Sequence, residues 1–197
     1  LKHIKLTMPL SQLDSRPGLP ALVVIDMQKG IVRLPTAHPV ADITANNVAL
    51  LRAFRAKGLP VVLVNVAGLP PGRTDAPKHA GLPADWAELI PELEVQPDDH
   101  QVTKRQWGAF YGTSLDQFLR RRGVTQVVLA GISTSIGVES TARNAHEFGY
   151  NVALVLDAMT DLNLVSHEHS VEKIFPRLGE TTTTAEVLNA LSQRADS

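Results

Sequence analysis

The chain contains no cysteine. That absence excludes disulfide staples, zinc–thiolate centres and a thiol nucleophile, and it suits a reducing compartment, so a cytoplasmic protein is expected. An excess of one charge is missing as well: 19 Lys and Arg stand against 20 Asp and Glu. Such a balance offers no electrostatic footprint for nucleic acid or an anionic membrane surface. No apolar run approaches the roughly 20 residues of a membrane span, and residues 1–6 lack the pattern of a signal peptide. Internal repeats and low-complexity segments are absent too. What is present is ordinary globular composition, 44% hydrophobic over 197 residues. That is enough for one domain with a full core.

Short apolar runs bounded by turn residues mark the strands. Residues 1–20, punctuated by Pro9, Pro17, Gly18 and Pro20, read as an irregular arm, with a single domain over 21–197. The run at 21–25 is too short for a helix, is rich in branched residues and ends at Asp26, as expected of a strand buried on both faces. Similar runs occupy 61–64, 126–130 and 152–156, the last ending at Asp157. Between them, Ile43, Leu50, Leu51 and Phe54 follow helical spacing behind a capping Asp42, with Asn47 as a polar miss. Ser114 and Gln117 have capping-box spacing ahead of a helix with Leu115, Phe118 and Leu119 on one face. Another helix is expected from about Ser135 to Phe148. A further one, capped by Ser166, carries Val171, Ile174, Phe175 and Leu178. Residues 181–184 suit an edge strand, and Thr183 with Glu186 can cap a last helix. Strands alternating with helices call for an α/β fold, a three-layer α/β/α arrangement around a mostly parallel sheet. The Pro/Gly-rich excursion at 67–101 reads as a lid or an oligomer contact, with Trp86 in a short helical stretch.

In open parallel sheets, ligands bind beyond the carboxyl ends of the strands. That rule selects Asp26 after the first strand, Lys104 after a short strand near Val102, the segment 131–137 after the strand at 126–130, and Asp157. A dinucleotide-binding reading fails, because Met27-Gln28-Lys29-Gly30 stands where a Gly-x-Gly-x-x-Gly loop belongs.

At these positions the sequence resembles a known family. Val24-Ile25-Asp26-Met27-Gln28 looks like the first signature of the isochorismatase-like, or cysteine-hydrolase, superfamily. Thr103-Lys104 followed by Gly108-Ala109-Phe110 looks like its second. Gly131-Ile132-Ser133-Thr134-Ser135-Ile136-Gly137-Val138, running into Ser140-Thr141-Ala142-Arg143, looks like its third, and Asp157-Ala158-Met159 is similar to its next strand end. The resemblance spans about residues 20–191. It implies a six-stranded parallel sheet, a homo-oligomer (dimer or tetramer), and an Asp–Lys–Cys triad. Asp26 and Lys104 match the first two members, and the Cys position falls on Gly137. It also suggests a cis peptide near Ile132–Ser133. Metal-binding relatives carry an Asp and paired His after the second strand. Here that stretch is Asn65-Val66-Ala67-Gly68-Leu69-Pro70 with only His79 nearby, so no metal and no cofactor are expected.

Without a thiolate there is no thioester route. The family's cysteine-free branch also carries Gly at this point and hydrolyses a vinyl ether, which needs an acid rather than a nucleophile. Asp26 is the expected acid, and a vinyl ether or similar acid-labile bond on a small carboxylate is the expected substrate. Lys104 is expected to hold that carboxylate or stabilise charge. Gln28, Trp107, Phe110, Ser133, Thr134 and Ser135 are the expected substrate contacts, each with a packing or turn role as its plainer alternative. On the excursion, Trp86 and Arg73 are weaker candidates. That branch has an aromatic and a His shortly before its Gly, where this chain has Ser133, Thr134 and Ser135, as in the cysteine-bearing majority. A substitute hydroxyl nucleophile there needs an activating base, and no histidine in the sequence is an evident one. His146, His167 and His169 are expected to be exposed on helices. The alternative to an enzyme is a catalytically silent member that binds a metabolite or a protein partner.

Overall fold

The computed structural model describes residues 10–15, 17–75 and 81–194. His79, the arm residues 1–9 and Pro77 of the excursion lie outside them. In chain order the elements are β1 (Leu19–Ile25), α1 (Lys29–Val32), α2 (Val40–Ala56), β2 (Val61–Val66), a 3₁₀ turn (Pro91–Leu93), β3 (His100–Lys104), α3 (Leu115–Arg121) and β4 (Val124–Ile132). A π-helical turn (Thr134–Val138) then leads into α4 (Glu139–Glu147), followed by β5 (Asn151–Thr160) and α5 (Leu164–His169). A second π-helical turn (Ser170–Ile174), α6 (Phe175–Leu178), β6 (Glu180–Thr182) and α7 (Thr184–Gln193) complete the chain.

The six strands form one sheet in the order β3-β2-β1-β4-β5-β6, and all five pairings are parallel. The central strands β1, β2, β4 and β5 are mainly apolar because they lie between two helical layers, whereas the edge strands β3 and β6 are largely polar. In β1, Ala21, Val23 and Ile25 join a core with Leu115 and Leu119 of α3 and Ala142 and Ala145 of α4. Leu22 and Val24 join the opposite core with Leu50, Leu51 and Phe54 of α2 and Val187 and Leu191 of α7. Strands β1 and β4 are neighbours, and the chain runs outward from them in opposite directions. Their carboxyl ends therefore form the topological switch point, where such sheets bind ligands.

Several local expectations are corrected. Ser114 makes no side-chain cap at α3; its hydroxyl pairs with His100 Nε2 at 2.9 Å, and the Thr113 hydroxyl accepts from the Leu115 N–H instead. Asn163 rather than Ser166 caps α5, accepting from the Ser166 N–H. The Thr183–Glu186 capping box at α7 is present. Trp86 sits in turns, not in a helix.

Strand β5 does not end at Asp157. Its register against β4 jumps between Leu154 and Met159, and the irregular stretch carries it on to Thr160. Two carbonyls freed there are taken by α2: Asn46 donates to Asp157 O and Asn47 to Ala158 O. The polar miss in the α2 stripe is thus a fully buried bracket for a bulge. The Asp157 carboxylate accepts from the Thr184 N–H and hydroxyl at the start of α7, a local backbone role.

Candidate active site

Asp26 directly follows β1 with φ 51, a left-handed conformation that Asp and Asn tolerate better than most residues. The Asp26 N–H still donates to Val64 O, and its carbonyl accepts from Gln28. The turn throws the carboxyl over the end of the sheet. Lys104 is the last residue of β3, two strands away, and its long side chain crosses the end of β2. Its ammonium donates to Asp26 Oδ2 at 2.7 Å and to Gln106 O at 3.3 Å. Both side chains are almost wholly buried, Lys104 at 1% and Asp26 at 7% exposure. The other carboxylate oxygen, Asp26 Oδ1, is buried with no hydrogen-bond partner. Burial pushes the Asp26 pKa up to about 6, against the lowering pull of Lys104.

The third side comes from β4. Gly131 has φ 113, and a Cβ on it would lie 2.0 Å from Ile25 O, so only glycine lets β4 hug β1 at the switch point. The Ile132–Ser133 peptide is cis. The π-helical turn then brings Gly137 against the pair. A Cβ built there would stand 2.9 Å from Ile25 Cγ2, 3.2 Å from Asp26 Oδ2 and 3.6 Å from Lys104 Nζ. The N–H groups of Ile136 and Val138 both donate to Ser133 O.

These groups open onto a cavity of about 260 Å³. Trp107 and Ser133 line it, as do Trp86, Leu69 and Ile136. Other expected contacts sit elsewhere. Phe110 is 5% exposed and packs in the core against Phe148 and Tyr150. Thr134 is fully buried, and its hydroxyl faces His167 Nδ1 at 2.8 Å. Ser135 turns its N–H and hydroxyl to Asp161 Oδ2. Gln28 is fully buried and bridges walls: it bonds the Val66 N–H and carbonyl and donates to Trp86 O. Arg73 is exposed and does not line the cavity.

Sequence reasoning missed three features. Asp161 clamps the turn before Gly137, accepting from Ser135 with one oxygen and from the Asn163 N–H with the other; its position past the bulge hid it. His167 is buried at 9% exposure, not exposed as expected. It lies edge-on to His38, with ring centroids 4.7 Å apart, and burial first, then His38, lowers its pKa to about 4. Although this places a histidine on Thr134, neither residue lines the cavity. The excursion is likewise no free lid in its second half. Lys29 and Gly30 donate to Glu88 O and Trp86 O, Ile90 donates to Met27 O, and Trp86 lies against Gly30. Among the described residues, no three or more His, Asp or Glu side chains group to hold a metal, and no helix is long and apolar enough to cross a membrane.

A doubly covered parallel sheet with a buried acid–ammonium pair at its switch point has the architecture in which open parallel sheets bind ligands. The chain belongs to the isochorismatase family, whose domain model matches residues 20–186. It is 48% identical over 177 residues to an uncharacterized isochorismatase family protein of Bacillus subtilis (strain 168), covering 85% of this chain and 92% of that one. A second uncharacterized member, from Escherichia coli O157:H7, is 45% identical over 87% of this chain and 95% of its own. An isochorismatase family protein of Burkholderia thailandensis superposes with a TM-score of 0.86 at 44% identity, covering 93% and 100% of the two chains.

Proposed function

We propose that this isochorismatase-family protein hydrolyses a small molecule by acid assistance, with Asp26 as the acid and no covalent intermediate. The observation that carries this is the Asp26 carboxyl: one oxygen held by Lys104, the other buried and unpartnered. An unpaired buried oxygen is better tolerated as O–H than as O⁻. With its pKa near 6, the acid is protonated in about a tenth of molecules at pH 7, close to the optimum for proton donation near neutrality. Once the proton leaves, the carboxylate is already paired with Lys104, so the conjugate base is stabilised as it forms.

For a vinyl ether the steps balance as follows. The Asp26 proton goes to the enol-ether carbon, whose π electrons form the new C–H bond and leave an oxocarbenium ion. Water adds to the cationic carbon and gives up a proton, which restores Asp26. The resulting hemiketal collapses to a carbonyl compound and an alcohol, with one water consumed. No protein atom bonds to the substrate, as suits a chain without cysteine. Gly137 stands where the family resemblance sets the thiol, and it leaves that space to substrate or water. Trp107 and Ser133 contact the substrate. The cavity rim carries Leu34, Leu69, Leu82, Ile136 and Leu162, each 36–59% exposed, and a second copy of the chain covers them in a homo-oligomer.

The test is a panel of isochorismate, uncharged vinyl ethers, amides and carbamates, run on the wild type and on Asp26→Asn. The wild type should turn over an acid-labile ether, and the variant should lose about 10²–10⁴-fold while staying folded. Undiminished turnover in Asp26→Asn removes the acid role. The missing thiol favours one other reading, a silent member that binds a metabolite or a protein partner; saturable binding with no turnover anywhere on the panel would support it.

A further inference from the structure

The walls of the cavity say more about its occupant than the reacting pair does. Among the described residues, no ionisable side chain apart from Asp26 and Lys104 lines it. Lys104 spends its charge on Asp26 Oδ2 and a second donor on Gln106 O. The other cations near it among the described residues are paired or exposed. Lys29 pairs with Glu88 and Asp85, and Arg33 with Asp85. Arg105 is exposed and does not line the cavity, although its guanidinium lies 3.7 Å from where a Cβ on Gly68 would stand. The remaining surface is mainly aliphatic and indole, with Gln106 and Ser133 as its other polar residues.

An anionic substrate in this space would lose its hydration beside the Asp26 carboxylate, with only a shared ammonium in return. An uncharged molecule loses little on the same transfer and gains the apolar walls. Ser133 and Gln106 add polar groups beside the Asp26–Lys104 pair, and the buried Asp26 Oδ1 has no hydrogen-bond partner. These groups can serve a single small function, such as an ether or carbonyl oxygen. The volume of 260 Å³ equals that of about nine waters in the liquid, or roughly ten heavy atoms.

We infer that the substrate is a compact, uncharged, mainly apolar molecule carrying one oxygen function, and not the small carboxylate expected from the sequence. This rests on the acid-hydrolase reading for what happens to the molecule, but not for whether it binds.

The test is therefore a binding test. The chain has two tryptophans, Trp86 and Trp107, and both line the cavity, so intrinsic fluorescence reports on this site. The full-length protein at pH 7.5 is titrated with cyclohexyl methyl ketone and with cyclohexanecarboxylate, a pair of near-identical shape that differ in charge, and the weak absorption of the ketone at the excitation wavelength is corrected with a free-tryptophan blank. The ketone should bind saturably and at least about ten-fold more tightly. In Ile136→Arg, at the half-exposed mouth, the preference should shift toward the carboxylate. Equal or tighter carboxylate binding in the wild type overturns the inference, and loss of that binding in Arg105→Ala would identify the cation responsible. Absence of ketone binding, or an Ile136→Arg variant with an unchanged ratio, overturns it too. Ketone binding without hydrolysis of any ether leaves this inference standing and sinks the acid-hydrolase reading alone.

Discussion

Asp26→Asn should change how stability responds to pH in a direction opposite to that of an ordinary salt-bridged aspartate. The substitution suits the site: Asn keeps the shape, tolerates φ 51 and still accepts from Lys104. The unfolded chain releases the Asp26 proton near its usual 3.8, the folded protein near 6. Between those values the native state holds a proton that the unfolded state has lost. Stability from this group is therefore fully present below about 3.8 and is lost as pH rises through about 6. The gap of about two units corresponds to roughly 3 kcal/mol. Urea unfolding of both proteins from pH 3.5 to 7.5 isolates the effect, since all other groups cancel in the difference. The wild type should gain about 3 kcal/mol relative to the variant on going from pH 7 to pH 3.5. Parallel curves would mean that Asp26 titrates normally. A relative loss in acid would mean that Lys104 dominates and depresses its pKa. Either result refutes the reasoning that burial keeps a proton available.

Turnover should follow the protonated acid: kcat/KM should fall about ten-fold per pH unit above 6 and level off below it, as a pH–rate profile on any substrate found will show. His167 should act on stability in the opposite sense. Its folded pKa of about 4 lies below the ordinary 6.5, so its contribution is intact above 6.5 and is lost as pH falls through 4, a span of roughly 3 kcal/mol. His167→Asn should remove that acid-side slope in the same urea series. Gly137→Cys should install the chain's only thiol beside Asp26 and Lys104. Displacing Ile25 Cγ2 from 2.9 Å should cost about 1–3 kcal/mol of stability, and ammonia release from an amide panel should appear.

The sheet and the meeting of Asp26, Lys104 and Gly137 were legible because parallel strands put all their carboxyl ends on one edge. Four apolar runs located four strands, and the residues that follow strands then had to be neighbours. Side-chain direction was not legible. Phe110 follows Gly108 and Ala109 yet turns into the core, while Trp107 stays on the cavity. Within 133–135 only Ser133 lines the cavity, because Thr134 and Ser135 are drawn to His167 and Asp161. Those partners lie some 30 residues along the chain, beyond a bulge that no period-two pattern signals. Asn47 shows the same limit, since a polar residue in an apolar stripe reads as an error until the carbonyl it serves is seen.

Hydrolysis in deuterium oxide tests the proton-donor role of Asp26 most directly. If Asp26 hands its exchangeable proton to carbon, the product from an accepted vinyl ether should carry one deuterium at the former enol-ether carbon, and Asp26→Asn should form this product only at the uncatalysed rate. Product with no carbon-bound deuterium, or labelled product formed equally fast by the variant, would contradict it.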